Sequence, residues 1–236
     1  MNKTKKWKRI KKILLHVDSQ PLETSSSLRN IGTVNCVNAY SLALAVEDDL
    51  FCDALLKSDI LLCDGILISL LCRFFLKKKV DRVTGPEFAD YFFEHCSNLG
   101  GKRLLYYGST TKVCSLLEAN LINRGTKNII SVKAGFNFDE LDKDLVEVIV
   151  GDINSLRPDV VFLGMTAPKQ EKLALLLHHR LNVMALVQVG AYFDFTAGSV
   201  KKSPSIFSFF GIEWVWRLVL QPKKISNRIW YLRKLF

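Results

Sequence analysis

Hydrophobic and polar positions follow two alternating periods from about residue 31 onward. Short apolar runs, typical of buried strands, are followed by longer segments in which apolar residues recur every three or four positions, as on one face of a helix. We predict strands at Ile31–Val37, Ile60–Cys63, Arg103–Tyr107, Asn128–Val132, Asp159–Leu163 and Val183–Val189. We predict helices at Ala39–Lys57, Ile66–Phe75, Pro86–Ser97, Thr111–Asn123, Glu140–Ser155 and Pro168–His179. This alternation indicates an α/β fold, a mainly parallel Rossmann-like sheet with helices on both faces.

The two ends of the chain depart from this alternation. Residues 1–30 are interpreted as a basic, polar lead-in, with a loop at Thr24–Ser27. Residues 31–200 form the predicted α/β domain, and residues 201–236 form a basic, aromatic and helical C-terminal appendage. Two interpretations of the segment after Pro222 stay open, since its composition suits a membrane interface and equally an ordinary helix that docks on the core.

The most apolar stretch, Ile60–Leu76, contains Asp64, Gly65 and Arg73. A membrane-spanning helix needs about 20 predominantly apolar residues. The stretch therefore predicts a strand, a turn and a buried helix. The basic N-terminus is followed by only three apolar residues, Ile13 to Leu15, which is too short for the apolar region of a secretory signal.

The charge balance changes the list of expected partners. The chain carries a net charge of +10, from 33 Lys and Arg against 23 Asp and Glu, which favours an anionic partner such as nucleic acid, lipid headgroups or a pyrophosphate. None of its six cysteines has the spacing of a zinc or thioredoxin motif. We interpret them as reduced and structural, which favours the cytosol.

Glycines recur where four of the predicted strands end: Gly65, Gly108, Gly164 and Gly190. In open α/β sheets ligands bind beyond the carboxyl ends of the strands, and glycine lets the backbone approach a phosphate closely. Each glycine alone is explained as well by a plain turn, but their recurrence at one edge favours a ligand cleft. The sequence has no dinucleotide-binding fingerprint, no P-loop and no metal-spaced histidines, so we expect no cofactor and no metal.

Two polar segments are candidates for chemistry in the first half of the chain. Asp64 follows the apolar run Ile60–Cys63, where partial desolvation suits a general base, although taken alone a helix N-cap explains it better. Arg82 precedes the helix predicted from Pro86 and suits a phosphate clamp. A surface ion pair with Asp81 or Glu87 is the alternative.

Two further candidates lie in the second half. Lys169 and Gln170 open a helix after a strand, where free backbone N–H groups and polar side chains suit a diphosphate or sugar hydroxyls. Asp194, between two aromatic residues, suits a hydrogen bond to a ribose or base. A buried carboxylate satisfied within a turn is the alternative for Asp194.

These segments, in this order, resemble the WecG/TagA/CpsF glycosyltransferase family. The family pattern is similar to T-x-N, D-G, R-V-T-G-P-D, G-x-P-K-Q-E, V-G-x-x-F-D-F-x-A-G and E-W-x-x-R. The corresponding residues here are Thr33 to Asn35, Asp64-Gly65, Arg82 to Glu87, Gly164 to Glu171, Val189 to Gly198 and Glu213 to Arg217. The resemblance extends from about residue 31 to residue 230, and six motifs in order are specific where each alone is weak.

The resemblance implies an inverting, metal-independent transfer of a sugar, which is N-acetylmannosamine, its uronic acid or glucose. It implies a UDP-sugar donor and an acceptor saccharide linked to a polyprenyl diphosphate, in the synthesis of cell-surface polysaccharides. It also implies an anionic membrane surface as a partner, at the inner face of the cytoplasmic membrane, and an appendage that completes the site. A homo-oligomer is compatible with the sequence, and nucleic acid is not an expected partner.

Site residues carry over from the resemblance position by position. Asp64 matches the proposed base, with Thr33 and Asn35 as pocket residues beside it. Arg82 and Gln170 match contacts to donor or acceptor, and Arg217 matches an arginine of the appendage; we expect Thr33 and Gln170 to take part in catalysis with Asp64. From the strand ends and the basic tail we also expect substrate contacts at the following positions: Gly65, Gly108, Gly164, Lys169, Gly190, Asp194, Lys224 and Arg228. The appendage departs from the pattern, because Lys223, Lys224 and Asn227 stand where arginines are usual, and lysine lacks the bidentate fork of arginine.

Three rival functions remain open from the sequence. A retaining transferase or a nucleotide-sugar hydrolase would use the same donor. A protein that binds nucleic acid would explain the charge but leave the polar segments at the strand ends without a role. A catalytically silent member of the family would act as a subunit of a complex, although Asp64, Arg82 and Gln170 argue against it.

Overall fold

The computed structural model describes residues 3–27, 30–98, 101–125, 127–135, 141–201, 203–204 and 230–235, and the single positions 216, 219 and 222. One sheet is formed by Gly32–Val37 (β1), Ile60–Cys63 (β2), Arg103–Gly108 (β3), Ile129–Lys133 (β4), Val160–Gly164 (β5) and Ala185–Gln188 (β6). All neighbouring strands are parallel, in the order β2-β1-β6-β5-β3-β4. The predicted parallel α/β sheet is confirmed.

The described helices connect these strands and precede them. They are Lys3–His16 (α1), Pro21–Ser27 (α2), Ala39–Glu47 (α3), Asp49–Leu56 (α4), Ile66–Leu76 (α5), Gly85–Asn98 (α6), Thr111–Asn123 (α7), Lys143–Ser155 (α8), Lys169–Leu177 (α9) and Tyr192–Thr196 (α10). A short 3₁₀ helix, Arg233–Leu235, lies near the end of the chain. No helix in the described parts of the chain is long and apolar enough to cross a bilayer.

Alternate strand residues face two helical layers, because successive side chains point to opposite faces of a sheet. On one face, Leu62, Tyr106 and Phe162 pack in a cluster with α6, α7 and α10. On the other face, the residues of β1 and β2 pack with α1, α3, α4 and α5, and those of β3 and β5 pack with α8 and α9. The buried apolar layers therefore enclose the sheet on both faces and leave its carboxyl edge to the loops.

The single helix predicted over residues 39–57 is divided into α3 and α4. Asp48 lies between them in an extended conformation, and its carboxylate accepts a hydrogen bond from the N–H of Phe51 at 3.0 Å. A side-chain acceptor at this position satisfies a free N–H group of the second helix, so a new helix begins there. Apolar spacing continues through this break, which is why periodicity alone did not reveal it.

The predicted loop at Thr24–Ser27 is wrong, because these residues lie in α2. The basic lead-in also contains α1, whose residues Ile10, Ile13 and Leu14 are buried at helical spacing. They join the cluster formed by α3, α4 and α5. The many lysines on the opposite side of α1 concealed this amphipathic pattern, in which charged residues occupy the solvent face.

The helix after β2 is also less buried than predicted. α5 buries Ile68 and Cys72. Leu71 and Leu76 are partly buried against the same cluster, and four other large apolar residues are exposed: Ile66, Leu70, Phe74 and Phe75. A helix that is apolar on its buried face and on its outward face differs from the usual surface helix, whose outward face is polar.

Candidate functional site

Polar side chains that follow β1 and β2 meet at the carboxyl edge of the sheet. The two strands are neighbours, with Val37 in register with Cys63, so the residues after them lie side by side. Asn38 donates a hydrogen bond from Nδ2 to Oδ2 of Asp64 at 3.2 Å. The N–H of Asp64 donates to the carbonyl of Val37 at 2.9 Å. The neighbouring strand thus holds the backbone of Asp64, and Asn38, which follows that strand, holds its half-buried carboxylate.

Asp64 does not occupy the cap of the helix that follows. The N-cap of α5 is Gly65, at φ 121°, a backbone conformation that favours glycine. The residue that caps a helix here is Asn38, whose Oδ1 accepts from the N–H of Ser41 at 3.0 Å at the start of α3. The N-cap interpretation of Asp64 is wrong, which leaves its carboxylate directed to another role.

Cys36 connects several parts of this edge. Its Sγ donates to the carbonyl of Gln188 at 3.5 Å, and a Cβ added to Gly85 would lie 3.1 Å from it. Burial raises the pKa of the Cys36 thiol well above its ordinary value, and the charges of Asp64 and then Glu171 raise it further. Two carboxylates are therefore close enough to act on one thiol. The site joins the ends of β1, β2 and β6 with the starts of α6 and α9.

Gln170 and Glu171 form a buried pair at the start of α9. Gln170 accepts from the N–H of Met165 at 3.3 Å and donates from Nε2 to Oε1 of Glu171 at 3.0 Å. A Cβ added to Gly190 would lie 4.0 Å from the same Nε2. Gln170 thus lies between the ends of β5 and β6. Lys169 is the first residue of α9 and is half buried.

Arg82 lies beside the end of β2. It forms an isolated parallel bridge with Cys63, and the N–H of the next residue donates to the carbonyl of Cys63 at 3.1 Å. Burial raises the pKa of the Cys63 thiol to about 12, with Cys72 and Asp64 raising it and Arg82 lowering it. Arg82 and Asp64 therefore act on the same thiol from the carboxyl edge.

The start of α6 is closed by a capping box. The Glu87 carboxylate accepts from the N–H of Thr84 at 2.8 Å and from its Oγ1 at 2.9 Å, and Thr84 Oγ1 accepts from the N–H of Glu87 at 3.3 Å. Glu87, one of the ion-pair partners considered for Arg82, thus has its carboxylate engaged by Thr84.

The four glycines at strand ends divide into two kinds. A Cβ added to Gly108 would lie 2.9 Å from the carbonyl oxygen of Gly164, and one added to Gly164 would lie 2.3 Å from the ring of Phe193. These two glycines allow strands and α10 to pack closely. Gly65 has open space at its Cβ position, and Gly190 borders Gln170. Of the four, Gly65 and Gly190 are the ones that border the site.

The structure does not bring Thr33 to Asp64. Thr33 is the second residue of β1 and lies near the opposite, amino-terminal edge of the sheet, about 13 Å along the strand from Val37. Its Oγ1 lies 2.6 Å from Nδ1 of His178, and its N–H donates to Oδ2 of Asp59 at 2.7 Å. These residues line a pocket of about 360 Å³ at that edge. The expectation that Thr33 accompanies Asp64 is wrong.

Asn35 is also displaced from the site. It is fully buried within β1 and donates from Nδ2 to the carbonyl of Ala54 in α4 at 3.0 Å. The asparagine that meets Asp64 is Asn38, three residues after Asn35. Cys36 stands two residues before Asn38, as Thr33 stands two residues before Asn35. Asn38, Cys36 and Glu171 are site residues that we did not predict. One signal was available, because Asn38 directly follows an apolar strand as Asp64 does.

The remaining expected residues are less central or lie elsewhere. Asp194 lies in α10, where its Oδ1 accepts from Oγ of Ser199 at 3.3 Å, which supports the locally satisfied interpretation. Arg217, Lys224 and Arg228 lie outside the described residues. Among the described side chains, no group of three or more His, Cys, Asp or Glu is arranged to hold a metal ion.

The arrangement of strands and helices explains why these groups gather. β1 and β6 are neighbours, but β1 leads into α3 on one face of the sheet and β6 leads into α10 on the other. A crevice opens where adjacent strands send their connections to opposite faces, and ligands of open α/β sheets bind there. The fold is therefore that of an α/β protein with a cluster of polar side chains, Asp64 among them, at the edge of the sheet where ligands of such folds bind.

A family model described as "Glycosyl transferase WecG/TagA/CpsF family" matches residues 16–236. Because this match covers nearly the whole sequence, the chain belongs to this family of glycosyltransferases, which act in the synthesis of cell-surface polysaccharides.

Proposed function

We propose that the protein transfers a sugar from a UDP-sugar to a saccharide linked to a polyprenyl diphosphate, by a single inverting displacement in which Asp64 is the general base. The observation that carries this proposal is the position of the Asp64 carboxylate, held by the amide of Asn38 at the mouth of the crevice. A base must reach the proton that it removes, and a positioned carboxylate supplies this at small entropic cost.

The choice of Asp64 over Glu171 rests on burial. Glu171 is only 1% exposed, and its Oε1 accepts from the side chain of Gln170, so an acceptor sugar has little access to it. Asp64 is half buried and lies beside the open space at Gly65. We assign Glu171 and Gln170 to the wall of the donor pocket.

Asp64 accepts the proton of an acceptor hydroxyl while that oxygen attacks the anomeric carbon, and the bond from this carbon to the β-phosphate oxygen breaks to release UDP. Negative charge grows on the departing diphosphate, and positioned cations and helix N-termini stabilise such charge. Arg82 and Lys169 are candidates among the described residues, and Arg217, Lys224 and Arg228 are proposed to join them from the appendage.

A donor screen with a short-chain lipid-diphosphate acceptor tests this proposal. We screen UDP-N-acetylmannosamine, its uronic acid and UDP-glucose, and expect UDP release that requires acceptor, persists in EDTA and gives a product with the anomeric configuration opposite to that of the donor. NMR of the product reads the configuration. A retained configuration, or UDP release without acceptor, would contradict the inverting transferase and indicate a retaining enzyme or a hydrolase.

A further inference from the structure

The outward side of α5 and the adjacent side of α1 form an exposed apolar surface, which we call the α1–α5 face. Its members and their exposed fractions are Trp7 at 45%, Ile66 at 45%, Leu70 at 40%, Phe74 at 67% and Phe75 at 64%. Ile66, Leu70 and Phe74 are four residues apart and form a ridge along α5. A contiguous apolar surface of this kind marks an interaction site, because single exposed apolar residues are normally scattered.

Two helices present this surface together. The rings of Trp7 on α1 and Phe75 on α5 have centroids 5.8 Å apart. The Sγ of Cys72 lies 3.7 Å from the carbonyl of Leu14, to which it donates, and Nζ of Lys78 donates to the carbonyl of Leu15 at 3.1 Å. Contacts along the helices thus hold the α1–α5 face in a fixed shape.

The two segments that form this face carry charge of one sign. Residues 3–17 contain seven lysines or arginines and residues 65–80 contain four, and neither segment contains an aspartate or glutamate. Lys8 and Lys11 are exposed on α1, and Lys77 and Lys79 are exposed just after α5. Basic side chains beside exposed aromatic and aliphatic residues match an anionic bilayer, in which lipid phosphates meet the charges and the acyl boundary takes the apolar ridge.

We propose that the α1–α5 face docks the protein on an anionic lipid bilayer. A nucleic acid fits this surface poorly, because its phosphates would leave the aromatic and aliphatic ridge exposed to water. Trp7 is suited to the headgroup level, where its ring is partly buried and its N–H remains hydrated.

The face begins at the mouth of the candidate site. Ile66 follows Asp64 by two residues, a chain length of at most about 8 Å, and the ridge extends about 12 Å from Ile66 to Phe74. Helices lying in the interface enter the bilayer by about 5–10 Å. Docking by this face places Asp64 close to the headgroup layer, where the diphosphate of a lipid-linked acceptor lies. This consequence rests on the proposed function, whereas docking itself does not.

Vesicle sedimentation with the full chain tests the proposal. The test variant is Phe74→Ser with Phe75→Ser, and the matched control is Ile122→Ser with Ile129→Ser, which removes two exposed apolar side chains from α7 and β4. We expect wild type and control to bind phosphatidylglycerol vesicles, with much weaker binding to phosphatidylcholine and in high salt. We expect at least a tenfold weaker partition for the test variant, about 1.4 kcal/mol. Circular dichroism checks that both variants are folded.

Two results would overturn the proposal. Equal vesicle binding by the test and control variants would show that another surface carries it. A wild-type dimer in lipid-free sedimentation that the test variant converts to monomer, with vesicle binding unchanged, would show that a second copy covers this face. Transfer to a water-soluble acceptor separates the two proposals. If the proposed function holds, the test variant retains that transfer. If the proposed function fails, neither wild type nor any variant transfers sugar, while the difference in vesicle binding persists.

Discussion

Asn38 makes hydrogen bonds in two directions at the centre of the site. Its Oδ1 caps α3 through the N–H of Ser41, and its Nδ2 holds the carboxylate of Asp64. One side chain therefore couples the start of a helix to the orientation of the proposed base. These two tasks can be separated by substitution, because several side chains cap a helix but few can also donate to a carboxylate at this reach.

Asn38→Ser keeps a capping oxygen and removes the amide donor. We expect unfolding stability to change by only a few tenths of a kcal/mol and kcat to fall about tenfold, equivalent to one lost hydrogen bond to a charged group. Asn38→Ala loses the cap as well, and its unfolding free energy falls by about 1 kcal/mol. Urea unfolding and steady-state kinetics read the two effects. Wild-type kcat in the serine variant would exclude a positioning role for Asn38.

Of the two residues that meet at the carboxyl edge, the sequence indicated Asp64 but not Asn38. Asp64 was recognisable because a carboxylate directly follows a fully apolar strand. Thr33 was misplaced because two segments, Thr33-Val34-Asn35 and Cys36-Val37-Asn38, end in asparagine three residues apart. Only the register of β1 with β2 decides which asparagine reaches the carboxyl edge, since three residues of strand displace a side chain by about 10 Å. Pair contacts of this kind depend on strand order, which local patterns do not carry.

The position of helix α10 depends on the absence of a side chain at Gly164. Phe193 packs against Gly164 so closely that a methyl group there would overlap its ring. The strand-end glycines were predicted to border a ligand, but Gly108 and Gly164 serve the packing of the protein. The sequence pattern is the same for both uses, because close approach of a ligand and close approach of a helix each exclude a Cβ.

Gly164→Ala is expected to displace α10 and to lower the unfolding free energy by about 1–3 kcal/mol through overpacking. The matched control is Gly151→Ala within α8, where no heavy atom lies within 4 Å of the new methyl group. The control should be more stable by about 0.5–1 kcal/mol, because alanine loses less backbone entropy than glycine in a helix. Urea unfolding of both variants measures the difference, and equal stabilities would refute the packing role of Gly164.

The two wrong predictions for helices α1 and α5 have a common cause. α1 was interpreted as a polar lead-in because lysines dominate its composition, although Ile10, Ile13 and Leu14 have helical spacing. α5 was expected to be buried because its residues are apolar all round, whereas its outward ridge is exposed. Composition weighs all positions equally, while burial depends on which neighbours each face meets.

For the molecule as a whole, the sheet was predictable as a class but not as a strand order. Alternating strands and helices indicated parallel pairing, yet the placement of β6 between β1 and β5 is a pairing between distant parts of the sequence, which local patterns do not show. That placement creates the crevice. The buried layers on the two faces of the sheet contain several cysteines. Cys63 and Cys96 lie fully buried in separate clusters on opposite faces of the sheet.

These buried thiols predict a loss of stability in alkali. Burial raises the pKa of both Cys63 and Cys96 from 9.0 to about 12. Because the folded-state pKa lies above the unfolded value, the contribution is complete below pH 9 and is lost as the pH rises toward 12. Between pH 8.0 and 10.5 the unfolding free energy should fall by about 2 kcal/mol for each thiol.

Urea unfolding at the two pH values measures this fall. Cys96→Ala provides the control, since it removes one titrating thiol and should reduce the fall by about 2 kcal/mol even though the cavity lowers its stability at both pH values. A free energy of unfolding that stays constant from pH 8.0 to 10.5 would show that these thiols ionise equally well in the folded state.

The most direct measurement of the central proposal is sugar transfer by Asp64→Asn, compared with Asp53→Asn at an exposed position of α4. Both substitutions remove one carboxylate charge and keep the side-chain volume. We predict that Asp64→Asn lowers transfer to the lipid-diphosphate acceptor by about 10²- to 10⁴-fold while UDP binding stays within about twofold of wild type. Asp53→Asn should transfer sugar at the wild-type rate. Transfer by Asp64→Asn at the wild-type rate would contradict the assignment of Asp64 as the general base.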